Sequence, residues 1–341
     1  MSKINIKNAI NSFSSLGKQL IEPDARLLAI INDEQYHNAW FTPESVLRAV
    51  TAIGKMLNEA DLQTWLSKYN LDNTGRPKKV GLILAGNIPL VGFHDVLCVL
   101  ASGNFALIKT SSQDAHLIKH ILKLLVDINA GFADQYSFVE RLTNFDAVIA
   151  TGSNNSSRYF DYYFGKVPNI IRKNRNSIAL LTGTEIAEEL FELGHDIFDY
   201  YGLGCRNVSK LLVPEGYNFN FFFESIEEFK TIIHHHKYSN NYDYNKSIYL
   251  VNGDKHFDNG FLMLKEDDRI ASPLSVVYYS FYANMAAAQQ MLTDQSENLQ
   301  CIVTTAPVNV PSQVVGFGQS QQPALWDYAD GIDTMDFLSN L

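Results

Sequence analysis

The chain has 341 residues, 46% hydrophobic and 19% charged, a balance that excludes a disordered or fibrous protein and is enough for about two domains of ~150 residues. With 37 acidic and 27 basic side chains its net charge is -10, the opposite of what a phosphate backbone selects, so nucleic acid is excluded as the main partner. Cysteines 98, 205 and 301 are too far apart in sequence for a disulfide framework or a C-x-x-C metal pattern, which suggests a reducing compartment.

The opening stretch, MSKINIKNAINSFSSLGKQL, lacks the apolar core and small-residue cleavage site of a signal peptide. No apolar run approaches the ~20 residues that cross a bilayer, so a cytoplasmic protein without a membrane span is expected. Residues 4–70 read as helices: Ile6, Ile10, Phe13 and Leu20 share a face, and Thr42-Pro43-Glu44 supplies an N-cap with proline at the first helical position. From Val80 short apolar runs alternate with helical segments. Strands are predicted at 80–85, 105–110, 146–151 and 178–182, with helices near 90–101, 114–129 and 155–165. Near-continuous apolar strands separated by helices indicate an α/β domain with a parallel sheet covered on both faces. A second α/β block follows, with strands near 208–213, 246–251, 274–280 and 300–305 and helices near 222–236 and 284–293. The domains are expected at 1–183, completed by 306–341, and at 184–305.

No G-x-G-x-x-G follows the first strand and no P-loop occurs anywhere. The first strand runs instead into Ala85-Gly-Asn-Ile-Pro89, at the carboxyl end where open α/β sheets bind ligands; Asn87 is also a common turn former. The second strand ends in Lys109-Thr-Ser-Ser112, a cation followed by three hydroxyls. The third runs into Thr151-Gly-Ser-Asn-Asn-Ser-Ser-Arg158, which suits an anion at a helix N-terminus and equally an ordinary helix cap. In Tyr200-Tyr-Gly-Leu-Gly-Cys-Arg206, Gly202 and Gly204 predict a sharp turn presenting Cys205, whose neighbour Arg206 favours the thiolate; a small buried residue at a loop-to-strand junction fits the same letters. Cys98 and Cys301 lie in apolar runs and read as core. His94-Asp95 are helix neighbours that do not face each other, which favours packing over an acid/base pair. His234-His-His236 lacks the i, i+4 spacing of a helical metal site, and no metal is expected.

The order of these pieces resembles the aldehyde dehydrogenase superfamily and, within it, the LuxC-like acyl-CoA reductases. AGNIPLVGFHDVLCVLASGNFALIKTSS (85–112), TGSNNSSR (151–158) and GLGC (202–205) follow the superfamily's order, and RIASPLSVVYY (269–279) and GFGQSQQPALWDYADGIDTMDFL (316–338) resemble the narrower group. The resemblance implies an aldehyde dehydrogenase-like fold, two α/β domains with the active site between them, the first binding a nicotinamide cofactor and the second carrying the nucleophile. It implies catalysis by Cys205, with Asn87 and the Cys205 backbone N–H holding the oxyanion. Lys109, Ser111, Ser112, Gly152 and Ser153 would contact the cofactor. Ser112 stands where many relatives carry a ribose-binding glutamate, leaving room for a 2′-phosphate and favouring NADP(H) over NAD(H).

Two departures matter. Arg172, in RKNRNS (172–177), stands where hydrolytic relatives carry the glutamate that activates water, so hydrolysis of an acyl-enzyme should be slow. The cluster Arg172, Lys173 and Arg175 reads as a solvated turn or as a phosphate contact. Arg269 replaces the glutamate expected at the nicotinamide ribose. The implied reaction is NADPH-dependent reduction of an acyl-CoA to the aldehyde, with acyl-CoA and CoA as partners and room for a homo-oligomer. Alternatives are an aldehyde or acyl-phosphate dehydrogenase using the same cysteine, or a non-catalytic nucleotide-binding descendant.

Overall fold

Val80 to Leu84 is apolar at four of its five positions around Gly81, a composition a strand tolerates when both of its faces are covered. The computed structural model, which describes residues 5–71, 76–152 and 154–341, places this run at the centre of a parallel sheet. The chain divides into two compact units, Met1–Asn174 with Pro323–Leu341, and Arg175–Gln322.

Unit 1 opens with helices α1 (Ile6–Ile21), α2 (Ala25–Asp33), α3 (Pro43–Met56) and α4 (Glu59–Leu66). Phe13 and Leu20 are fully buried, and Thr42 Oγ1 accepts the Ser45 N–H ahead of Pro43, as the cap pattern predicts. There follow β1 (Lys79–Ile83), α5 (Phe93–Ala101), β2 (Phe105–Lys109), α6 (His116–Ile128), β3 (Tyr136–Phe138), β4 (Ala147–Thr151), α7 (Asn154–Phe164) and β5 (Asn169–Arg172). The sheet order is β3-β2-β1-β4-β5, with every neighbouring pair parallel. The chain steps outward from β1 to β3 and returns beside β1 as β4, so the strand order reverses there. That switch point is where open α/β sheets hold ligands, beyond the carboxyl ends.

Unit 2 contains β6 (Asn176–Leu180), α8 (Ala187–Phe198), β7 (Val208–Pro214), α9 (Phe219–Ser225), α10 (His236–Asn252), β8 (Phe257–Asp258), β9 (Met263–Glu266), β10 (Val276–Tyr282), α11 (Met285–Asp294), β11 (Leu299–Val303) and β12 (Gln313–Val315). Its sheet runs β12-β11-β6-β7-β10-β9-β8 and is parallel except for the β8–β9 edge. The last helix, α12 (Thr334–Ser339), returns to unit 1 and packs against α5. Among the described residues no helix is long and apolar enough to cross a membrane.

Three expectations need correction. The division falls at 174/175 and 322/323 rather than at 183 and 305, because β6 pairs with β7 and β11 and so belongs to the second sheet. The strand predicted at 246–251 lies inside α10. Its six residues look β-prone alone, but Tyr238, Tyr242, Asn245 and Tyr249 are the buried positions, a stripe at steps of four, three and four that only a helix produces. The helix predicted at 222–236 is α9 followed by a 3-10 stretch, Glu227–His234.

Candidate functional site

In unit 1 the candidate residues gather at the carboxyl edge of the sheet. After β1 the Leu84 N–H extends the ladder to the Lys109 carbonyl (3.0 Å), and the chain then turns sharply through Ala85-Gly-Asn-Ile-Pro89. A Cβ on Gly86 would sit 2.5 Å from Ser111 Oγ, so only glycine lets this turn close on the Lys-Thr-Ser-Ser loop. The turn's far end is held by a charge-capable contact: the Leu90 N–H donates to Asp114 Oδ2 at 2.7 Å. Leu90 itself has φ +59°, a left-handed conformation unfavourable for a leucine.

Asn87 is exposed on this turn, and Lys109 and Ser112 are exposed beside it, with Ser111 half-buried. Ile83 is in register with Lys109 on one side and with Ala150 on the other, which puts Gly152 just beyond the same edge. Four of the five expected cofactor residues thus lie along one edge with Asn87; Ser153 lies outside the described residues. A Cβ on Gly152 would meet Phe160 at 2.7 Å and Ser156 at 2.9 Å, so the entry to α7 stays without a side chain there.

Unit 2 holds the cysteine turn. Tyr200, Tyr201 and Gly202 have φ of +55°, +59° and +78°, three successive left-handed residues that only the glycine adopts without cost. The chain then closes a turn in which the Asn207 N–H donates to the Gly204 carbonyl (3.1 Å) and the Gly204 N–H donates to Asn207 Oδ1 (2.9 Å). Asn207 Nδ2 donates in turn to the carbonyls of Asp199 (2.7 Å), Asp196 (3.2 Å) and Ile197 (3.3 Å), tying the turn to the end of α8. Ser177 Oγ donates to the Cys205 carbonyl at 3.0 Å, anchoring it from β6. The half-buried Cys205 therefore rides on a backbone held from two sides. Arg206 donates to Gln313 Oε1 (3.1 Å).

Cys98 and Cys301 are fully buried, as expected of core residues. Burial pushes both thiols up, Cys301 to about 11, although Arg206 pulls the latter down. Beside the cysteine turn is a cavity of about 40 Å³ lined in part by Tyr201, Gly202 and Leu274, room for a few waters and too little for an acyl chain.

Unit 2 also buries Asp196 completely; it accepts the N–H groups of Gly318 (2.7 Å) and Ser320 (2.9 Å). Desolvation pushes its carboxyl up to about 6 against those donors. Asp196 thus fixes the GFGQS turn to the helix that holds the cysteine turn. Sequence reasoning missed Asn207, Ser177, Asp114 and Asp196. An asparagine two residues after the cysteine was a visible turn former; the other three carry no local signal.

Arg172 is the clearest correction to the expected site. It is 4% exposed, forms an ion pair with Asp95 and donates to Thr334 Oγ1 at 2.9 Å. Burial works against its charge, and Asp95 overrides that and holds the guanidinium above its usual range. It joins β5, α5 and α12 inside unit 1 and is neither a solvated turn nor a phosphate contact. Lys173 is exposed, and Arg175 donates to the Leu299 carbonyl (3.1 Å). Asp95 is therefore structural, and His94 pairs through Nε2 with the Leu325 carbonyl (2.9 Å). Arg269 is held by Asp267, whose carboxyl it pulls down to about 2. His235 caps α10 by accepting the Tyr238 N–H (3.4 Å).

A model of the acyl-CoA reductase (LuxC) family matches residues 38–208, half of the chain, running from the N-terminal helices through the cysteine turn. The chain belongs to the acyl-CoA reductase (LuxC) family. Among curated relatives, the long-chain acyl-protein thioester reductase of Aliivibrio fischeri is 25% identical over 161 residues, covering 42% of this chain and 34% of that one. The match thus spans about a third of that relative's length. Among solved structures, aldehyde dehydrogenase 21 of Physcomitrella patens superposes with a TM-score of 0.68 at 14% identity, covering 99% of this chain and 84% of that one. The Mycobacterium tuberculosis aldehyde dehydrogenase gives 0.67 at 14%, covering 98% and 83%. This acyl-CoA reductase family member has the aldehyde dehydrogenase fold.

Proposed function

We propose that the protein is a cytoplasmic oxidoreductase that reduces an acyl thioester, in the first instance an acyl-CoA, to the aldehyde with NADPH. The observation carrying this reading is the cysteine turn: a half-buried thiol on a backbone fixed by Asn207 and Ser177, in a Gly-Leu-Gly-Cys segment that resembles the nucleophile segment of aldehyde dehydrogenases. Unit 1 is proposed to bind the dinucleotide and unit 2 to carry the nucleophile.

The residues of unit 1 suit such a cofactor. An exposed lysine, the Ser111 and Ser112 hydroxyls and an unblocked helix entry at Gly152 line the edge beyond a sheet switch point. Ser112 brings no negative charge against a 2′-phosphate. When bound, dihydronicotinamide supplies the hydride.

Cys205, as thiolate, attacks the thioester carbonyl; a C–S bond forms to the enzyme and the CoA thiolate leaves, giving an enzyme thioester. The Asn87 carboxamide and the Cys205 backbone N–H donate to the carbonyl oxygen as it gains charge, where deleting one donor typically costs about 10²–10³ in rate. Hydride addition leaves the hemithioacetal oxygen as an alkoxide; as it re-forms the carbonyl the C–S bond breaks, the aldehyde leaves and Cys205 is released as the thiolate, while the departed CoA thiolate takes up the one proton the reaction consumes. With Arg172 locked in an ion pair, the water-activating glutamate of hydrolytic relatives has no counterpart at its own position, which favours reduction over hydrolysis.

The test is NADPH consumption across a series of acyl-CoAs with the aldehyde identified directly. Cys205→Ala should abolish aldehyde formation and leave NADPH affinity within about twofold, and iodoacetamide should label Cys205 ahead of the buried Cys98 and Cys301. Full turnover in that variant, or oxidation of an aldehyde to free acid without CoA, overturns the proposal. The Aliivibrio relative is named for an acyl-protein thioester, so a protein-borne donor belongs in the same panel.

A further inference from the structure

We infer that Asp114 is a positioning residue for this reaction, its carboxylate fixing the turn from Gly86 to Leu90 and with it the Asn87 side chain. The inference rests on the role given to Asn87 above.

The turn is pinned at two points, and Asn87 lies between them. At Gly86 it is pressed on Ser111, where even a methyl group would have no room. At Leu90 it is held by the 2.7 Å bond to Asp114 Oδ2. The second pin is the one that can be lost. A left-handed backbone is unfavourable for Leu90, so without an acceptor for its N–H the local preference is for another conformation. Asp114 is 5% exposed, too buried to be an incidental surface cap.

The surroundings make this pin sensitive to protons. Asp114 Oδ1 is buried and has no partner among the described residues, and the same holds for Glu34 Oε2. Glu34, in the 3-10 turn Glu34–Tyr36 after α2, faces Asp114 electrostatically; Asp33 and His37 adjoin Glu34, and the His116 ring at the start of α6 packs at a tilt against His37 with ring centroids 4.0 Å apart. Burial pushes the Asp114 carboxyl up to about 7, the Leu90 N–H pulls it down, and Glu34 raises it again. The ionised form makes a charge-assisted bond to Leu90, and the protonated form makes a weaker one. The hold on the Asn87 turn therefore tightens as pH rises through about 7.

The experiment compares Asp114→Ala, Asp114→Asn and Asn87→Ala in the full-length protein. Asp114→Ala should lower kcat about 10- to 100-fold with NADPH affinity within twofold, and in the ligand-free protein it should speed amide exchange of Leu90 at least tenfold. Asp114→Asn keeps an acceptor that does not titrate, so it should retain more activity and lose any kcat limb near pH 7. If Asp114 acts through Asn87, adding Asn87→Ala to Asp114→Ala should cost far less than Asn87→Ala costs alone. Fully multiplicative losses, unchanged Leu90 exchange, or a wild-type pH profile in Asp114→Asn overturns the inference. Asn87→Ala with wild-type kcat overturns the role of Asn87 itself and separates that failure from the first. Should Asp114→Ala not fold, the Asp114→Asn pH profile decides alone.

Discussion

Replacing Arg172 by methionine should destabilise unit 1 far more than it disturbs any ligand. The Arg172 and Asp95 side chains are 5% and 8% exposed, so removing the guanidinium strands a carboxylate away from water. Breaking a buried pair from one side costs about 3–5 kcal/mol, whereas replacing both partners with apolar groups is commonly neutral or stabilising. Here the double replacement also removes a buried guanidinium Nε that has no partner among the described residues, and its cost is the Thr334 bond, about 1 kcal/mol. The expected order is therefore Arg172→Met well below wild type and Asp95→Leu/Arg172→Met within about 1 kcal/mol of it. Trp40, Trp65 and Trp326 all lie in unit 1, so tryptophan fluorescence during urea unfolding reports that unit. A loss under about 1 kcal/mol in Arg172→Met, together with a tenfold weaker affinity for NADPH or acyl-CoA, would refute this reasoning and return Arg172 to a ligand-binding role.

Asn207→Ala should cost about 1–3 kcal/mol, since it strands the buried Gly204 N–H and removes the donor to three carbonyls, and turnover should fall at least tenfold with NADPH affinity kept; wild-type turnover would refute it. For Asp196 the folded carboxyl is raised from 3.8 to about 6, so the fold binds the proton more tightly than the unfolded chain. Its contribution is fully present below about pH 4 and is lost as pH rises to about 6. The loss is up to ~3 kcal/mol. Asp196→Asn should flatten the pH dependence of the urea midpoint across that window, whatever its absolute stability, and an unchanged slope would refute the assignment.

The sheet of unit 1 was legible because β1, β2 and β4 are short apolar runs bounded by turn formers, and a strand buried on both faces leaves that trace. That Asn87, Lys109 and Cys205 stand at strand ends was legible for a related reason: each ends, follows or precedes such a run. What was not legible depends on distance along the chain. Arg172 reads locally as one of several basic residues; its burial is set by Asp95 and Thr334, 77 positions before and 162 after. Asp114 looks like a polar loop residue because its partner, Leu90, lies 24 positions away. The 246–251 error has the opposite origin: a six-residue window showed β-branched and aromatic letters, and the buried stripe that decides for helix is visible only over the 17 residues of α10.

Unit 1 is assembled from two stretches on either side of unit 2 in the sequence, and this sets an order of events during synthesis. The ribosome delivers Tyr328 more than 250 residues after Trp65, whose indole N–H it accepts at 2.7 Å, while Tyr69 waits equally long for Tyr328 and Asp333. Until those last residues emerge, the first helices and the parallel sheet lack Leu325, Met335 and Leu338 from their core and the Thr334 bond to Arg172. Unit 2, a single uninterrupted stretch, is complete earlier. The half that is translated first is thus the half that must be finished last, and a nascent chain stalled before residue 323 would expose apolar surface that a chaperone has to shield.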